Sequence, residues 1–335
     1  MILRSTHLFC AFVLGLLVPL FWGTAAQAKD DEMRALAHSR LPAQLLLNQG
    51  MTLFYGPARE ALENAEADGF TAFGGMMGGH QEVSRNGETR MDGFSFLAGL
   101  GYRTLIDDSP LAAFTYGFFG EGGTGSFETS LNLGTGTAKS EGRGHYVGGG
   151  VLIKTEFQNR AYIDGVFRVG QADSSLKKLT LAGAPLDLPD ASSTYFSAGG
   201  TLGWQTDLTD QLGLGVYGRL LWSHQGAAEK MDLVTVDTIN STRTVFGAKA
   251  DFKAGEGRII YLGAGWEHEF NGRARLTIDS RELKGFTANL EGDSLVGEVG
   301  LKLMGEDGFS ASFGLDGALG RREALGGVLR LGYEF

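Results

Sequence analysis

From Gly69 to the carboxy terminus, apolar and polar residues alternate with a period of two. In "RAYIDGVFRVGQ", Arg160 to Gln171, one face carries Ala161, Ile163, Gly165, Phe167 and Val169, and the other Tyr162, Asp164 and Arg168. In "GRIIYLGAGWEHEF", Ile260, Leu262, Ala264, Trp266 and Phe270 oppose Tyr261, Glu267 and Glu269. "QLGLGVYGRLLW" sets Leu212, Leu214, Val216, Leu220 and Trp222 against Tyr217 and Arg219. The closing "GGVLRLGYEF" sets Leu329, Leu331, Tyr333 and Phe335 against Arg330 and Glu334. Such segments are strands with one apolar and one wet face. There are about twelve, most near or above the ~9 to 11 residues a tilted strand needs to cross a bilayer.

A soluble sandwich alternates too, but its strands average about five or six residues. Here the segments are about twice that length, and aromatics gather toward their ends: Phe70, Tyr102, Phe157, Trp204, Trp222, Phe270, Tyr333 and Phe335. That placement fits the interfacial girdles of a membrane barrel. The joints also alternate. Short ones fall at Gln158–Asn159, Leu208–Asp210, Ala254–Gly257 and Gly305–Asp307. Long polar ones are expected at Gly120–Gly142, Ala172–Ser193, Gln225–Ser241 and Asn271–Asp293. The pattern predicts an all-β fold, a transmembrane antiparallel β-barrel of about twelve strands over 69–335, with the short turns in the periplasm. Closure would pair the last strand with the first, so that no edge stays open.

The amino terminus reads as an address. Arg4, an apolar run from Leu8 to Trp22, and Ala26 and Ala28 around Gln27 form a secretory signal peptide, with cleavage expected after Ala28. The only cysteine, Cys10, lies within it, so no disulfide framework is expected. Residues 29–68 read as helical: Met33, Leu36, Ala37 and Leu41 are spaced for a helix, a break falls near Pro42, a second stretch carries Leu45, Leu46 and Met51, and a third follows Pro57. A formal charge of -10, with both signs interspersed, argues against nucleic acid as a partner. The 53 glycines are dispersed through apolar segments, as suits a closely packed, curved wall rather than a disordered chain.

The runs "GHYVGGGVLIKTEFQNRAYIDGVFRVGQAD", "YLGAGWEHEFNGRARL" and "GEVGLKLMGEDGFSASFGLDGALGRREALGGVLRLGYEF" resemble the carboxy-terminal translocator domain of autotransporters, the type V secretion proteins. The resemblance covers about Gly69 to Phe335 and rests on order and spacing. It implies a twelve-stranded outer-membrane barrel, with Pro57–Asp68 in the lumen as a pore-threading helix. It implies further that Leu329, Leu331, Tyr333 and Phe335 form the signal read by the barrel-assembly machinery, and that periplasmic chaperones escort a chain that ends as a monomeric barrel in outer-membrane lipid. The family's long passenger is missing: residues 29–68 are too few for a stacked solenoid. Asn48 and Asn64 do not reproduce the paired asparagines of self-cleaving relatives, so no cleavage is expected.

Projected inward, the wet faces collect Lys154, Glu156, Asp164, Arg168, Arg219, Lys249, Asp251, Glu267, Glu269, Glu298, Lys302, Asp316 and Arg330 as a lumen network of both signs. No Ser–His–acid or metal-ligand spacing stands out. His80, His145, His224 and His268 sit singly near strand ends, so neither catalysis nor a cofactor is expected. The reading is a helix-plugged translocation pore with little passenger. A small-solute porin and, more remotely, an outer-membrane hydrolase are the alternatives.

Overall fold

The computed structural model describes residues 38, 40–55, 68–84, 87–107, 109–133, 136–181, 184–186, 191–227, 234–274, 276–278, 281–282 and 288–335. The expected signal peptide with Ala26 and Ala28, and the stretch from Pro57 to Ala67 expected to thread the pore, lie outside these residues. Among the described residues, one helix, α1 (Leu41–Leu53), precedes twelve long strands. They are β1 (Gly69–Ser84), β2 (Glu88–Leu105), β3 (Leu111–Leu133), β4 (Gly136–Phe157), β5 (Ala161–Leu181), β6 (Ala191–Asp207), β7 (Leu212–Gln225), β8 (Ile239–Lys253), β9 (Arg258–Glu269), β10 (Gly292–Met304), β11 (Phe309–Gly320) and β12 (Arg322–Glu334).

Each strand pairs antiparallel with its sequence neighbour, and β12 returns to β1 in register from Thr71 opposite Glu334 to Val83 opposite Arg322. The sheet therefore closes, and every strand finds two partners. Alternation sorts the side chains. Phe118, Ile153, Leu202, Leu262, Leu295 and Leu315 are exposed on the outside, whereas Tyr146, Tyr162, Tyr195 and Tyr261 are buried on the inside. An apolar outside and a polar inside are the solution for a sheet surrounded by lipid, where no second sheet covers the apolar face.

The short joints are as the pattern predicts: one turn each at 158–160, 208–211, 254–257 and 305–308. Two of the long ones are not. Gly120–Gly142 is mostly strand, because β3 runs to Leu133 and β4 starts at Gly136, and β5 continues to Leu181. These hairpins extend past the apolar belt, where exterior Thr124, Ser126, Glu128 and Glu141 give the strand the polarity of a loop. The joints after β7 and β9 carry short strands of their own: Val234–Val236 pairs with Leu276–Ile278, which also pairs with Arg281–Glu282. The second joint is pinned at its base, where Arg273–Ala274 pairs with Ala288–Asn289.

Aromatic side chains mark both rims. Phe70 meets Tyr102 at 4.8 Å and Phe335 at 6.3 Å at the short-turn end, and Phe246 stacks on Trp266 at 6.2 Å toward the other.

Candidate functional site

The site is the lumen. Pro42 stands in the first turn of α1, where its missing N–H costs nothing, so the proline starts this helix rather than breaking it. Every residue of α1 except Thr52 is buried. A helix apolar on several sides belongs inside a protein, and α1 lies within the barrel, packed on the inner faces of β1 to β5 and chiefly β2. Leu41, Leu45, Leu46 and Leu47 join Met91, Phe127, Tyr146 and Tyr195 of the wall in one cluster. Ala274, Ala288 and Leu290 of the joint after β9 complete that cluster from the long-loop end. A second cluster gathers Met51, Leu53, Phe54 and Tyr55 against Phe73, Leu97, Phe119 and Leu152. Each large side chain so buried contributes on the order of 2 kcal/mol.

Several polar groups on and just before the helix bond to the wall. Gln44 Nε2 donates to Ser223 Oγ at 2.7 Å and to Asn48 Oδ1 at 3.0 Å. Gln49 Nε2 donates to the carbonyls of Met77 and Gly93, and Gln49 Oε1 accepts from Gln81 Nε2 at 3.0 Å. Arg40, just before the helix, donates from Nη2 to Ser193 Oγ and to the Gly226 carbonyl.

The central anchor is Arg168. Its guanidinium grips Glu121 through Nε at 2.8 Å and Nη2 at 2.6 Å, and Tyr195 Oη donates to the same carboxylate at 2.7 Å. Its remaining nitrogen, Nη1, donates to the Leu47 carbonyl in the middle of α1 at 3.3 Å. Both charged side chains are almost fully enclosed, and a forked, bidentate pair with its spare donors used is the arrangement in which a buried ion pair holds best. Gly50 lets the helix come this close. A Cβ there would stand 2.1 Å from Tyr146 Oη and 2.9 Å from Arg168 Nη2.

The opposite wall borders a cavity of about 650 Å³ beside the helix. Arg219, Lys249, Glu298, Asp316 and Arg330 line it, with Glu156, Asp251 and Glu267. Arg330 donates to Tyr261 Oη at 2.8 Å and faces Glu298 at 3.5 Å. Lys249 lies 3.7 Å from Asp251 and over the Tyr261 ring. Glu267 bridges Arg243 and Arg322, and Glu269 accepts from Ser241 Oγ and the Thr242 N–H. Glu156 joins Lys154 at 2.7 Å and Arg103 at 2.9 Å, and Asp164 stands opposite Lys154 in the β4–β5 register. Arg219 stacks at 4.2 Å on Tyr55, which follows α1. Lys302 is buried on the inner face of β10.

All thirteen residues anticipated for the lumen thus face inward, in several local groups rather than one site. Four partners were missed. Glu121 was hidden in a run read as loop, and Arg103, Arg243 and Arg322 lie in strands whose alternation is less clean. In β12, Leu331 and Tyr333 are exposed on the outer face and Leu329 is half-buried there, and Phe335, just past the strand, is exposed as well.

The profile of the autotransporter β-domain matches residues 71–316. The fold is similar to the transport unit of the autotransporter AIDA-I from Escherichia coli, with TM-score 0.60 and 16% identity over 82% of this chain and 92% of that one. It is also similar to the translocator domain of NalP from Neisseria meningitidis (TM-score 0.56, 14% identity, 90% and 97% covered). The β-domain of the Bordetella autotransporter BrkA matches at TM-score 0.58 and 15% identity, with 80% and 100% covered. A search of curated proteins found no match. Structures so distant in sequence speak for the fold, and the profile, which spans most of the barrel, speaks for descent: the chain belongs to the autotransporter β-domain family.

Proposed function

We propose that this translocator barrel stands in the outer membrane in its closed state, with short turns toward the periplasm and α1 sealing the pore. The observation that carries this reading is the contact from the buried Arg168–Glu121 pair to the Leu47 carbonyl, which ties the wall to the backbone of the helix rather than to a mobile side chain. The barrel is then a conduit and anchor for whatever amino-terminal segment it serves, and its lumen charges act as structural pairs, not as catalysts. Supporting partners in this reading are a cleaved signal peptide ending at Ala28, periplasmic chaperones, and the assembly machinery acting on the last strand of a monomeric barrel.

Conductance in planar bilayers tests it. The full barrel should pass little current, and removal of Leu41–Leu53 should open it severalfold. The cavity beside the helix is what a small-solute channel would use. Large, steady currents from the intact protein, unchanged by the deletion, would favour that reading instead.

A further inference from the structure

Four histidines stand on the outer face of the barrel at one height. His80 is eleven residues from Gly69, His145 twelve from Phe157, His224 twelve from Leu212 and His268 ten from Arg258, each counted from the short-turn end of its strand. At ~3.3 Å per residue and a tilt of ~40°, that places all four roughly 25–30 Å above the short-turn rim, the thickness of the hydrocarbon layer. The exterior positions beneath them are apolar, as with Ile153, Val151 and Val147 below His145, and Val216, Leu220 and Trp222 below His224. The imidazoles stand among the polar groups a lipid meets on leaving the hydrocarbon at the long-loop side, together with Gln171, Thr242 and Thr244 on the same outer face.

Each ring is held by an oxygen from the neighbouring strand. His80 Nδ1 lies 3.0 Å from Asp92 Oδ1, His224 Nδ1 2.9 Å from Asn240 Oδ1, and His268 Nδ1 2.8 Å from Asp293 Oδ1. His145 uses Nε2 toward Asp173 at 3.0 Å. An oxygen that only accepts keeps the proton on the nitrogen facing it, so in the first three the neutral ring offers Nε2 as an acceptor. The carboxylates of Asp92 and Asp293 are more than 60% exposed and add further acceptors. Arg90, on the same face of β2 as Asp92, is engaged by Glu82 and Glu88. Flat aromatic rings complete the pattern: Trp222 stacks with His224, and Trp266 with His268.

A belt of acceptors beside part-exposed indoles, 39% for Trp222 and 41% for Trp266, fits a partner that donates hydrogen bonds and presents C–H surface to what the stacking leaves open. We infer that His80–Asp92, His224–Asn240 and His268–Asp293 form a headgroup belt for sugar-bearing lipids of the outer leaflet. The hydroxyls donate to Nε2 and the carboxylates, and the sugar ring packs on the tryptophans. A bare phosphate would be repelled by the same carboxylates. Arg143, two residues from His145 on the same face, is the feature that would favour phosphate.

The test uses the full chain in nanodiscs of phosphatidylcholine alone, with a monoglucosyl diacylglycerol, or with phosphatidic acid. The readout is the temperature at which the barrel loses its folded electrophoretic mobility. The glucosyl lipid should raise that temperature and phosphatidic acid should not. The triple variant H80A/H224A/H268A should lose the rise while keeping the wild-type midpoint in phosphatidylcholine, and H80Q/H224Q/H268Q, which keeps an acceptor at each place, should retain it. No rise for the wild type in glucosyl lipid, a rise that survives the alanine variant, or a rise with phosphatidic acid alone would each overturn the inference. The wild-type comparison decides on its own if the alanine variant fails to fold.

Discussion

At the scale of single residues, the described part of the lumen holds charges with an opposite partner and, in Arg40, one without. Replacing Arg168 with Met would leave the Glu121 carboxylate buried without its cation, which costs about 3–5 kcal/mol, whereas replacing both partners by apolar residues should cost far less. Urea unfolding in detergent micelles checks the ordering, with R168M well below R168M/E121L. Arg40 is the contrasting case. It is 1% exposed, its Nε and Nη1 have no hydrogen-bond partner, and no carboxylate answers its charge among the described residues. Arg40→Met should therefore seat the helix as firmly as the native residue or more so, read as an equal or lower frequency of current bursts. Near it, burial and the proximity of Arg321 push the His38 imidazole down to about 4 from an ordinary 6.5. The folded state favours neutral His38, so its contribution is fully present above pH 6.5 and is lost as the pH falls toward 4. At 1.36 kcal/mol per unit this amounts to about 3 kcal/mol. Acidification from pH 7 to 4.5 should raise the open probability of the wild-type pore, and His38→Phe should flatten that component; an identical pH profile in both would remove His38 as its source.

At the scale of elements, the strands were legible because lipid enforces alternation along every crossing, and one residue of slip would turn a whole face the wrong way. Where lipid no longer constrains the exterior, the signal fades. "EGGTGSFETS" in β3 continues the ladder, but its outer face is Thr124, Ser126 and Glu128, and a strand with two polar faces reads as a loop. Glu121 was lost to the same misreading, and with it the anchor of the helix. The helix itself was legible as helix but not in its place. Leu41–Leu53 occupies the lumen, in the stretch where a proline suggested interruption, while the segment expected to thread the pore lies outside the described residues. What docks α1 is a missing side chain, which no periodicity reveals. Gly50→Ala would gain about 1 kcal/mol of helix propensity, yet its methyl would sit 2.1 Å from Tyr146 Oη. The clash should prevail, giving more frequent openings in bilayers, and Tyr146→Phe in the same chain should relieve it only in part, because Tyr146 Cζ and Arg168 Nη2 would still stand 2.9 Å from the methyl.

At the scale of the whole molecule, β12 closes the wall, and the expected assembly address lies along it and in Phe335 just past it; the two roles make different predictions. The β12–β1 seam is paired from Thr71 opposite Glu334 to Val83 opposite Arg322. Phe335 adds to it one backbone bond, from its N–H to the Phe70 carbonyl at 3.0 Å, and a ring facing Phe70 and Tyr333. That is about 1 kcal/mol for the bond and about 1 kcal/mol for the ring contacts of a side chain that stays 64% exposed, small beside a closed seam of this length. If Phe335 mattered only through contacts, its deletion would lower stability slightly and leave assembly nearly intact. If it is also part of the address read by the assembly machinery, as its likeness to other outer-membrane carboxy termini suggests, deletion should reduce insertion in cells far more than it weakens the barrel. Refolding the truncated chain into detergent micelles beside its insertion in cells separates the two. Near-normal heat-modifiable folding in micelles with a severalfold loss of inserted protein in cells is the expected pair, and equal losses in both would reduce Phe335 to a packing residue at the seam.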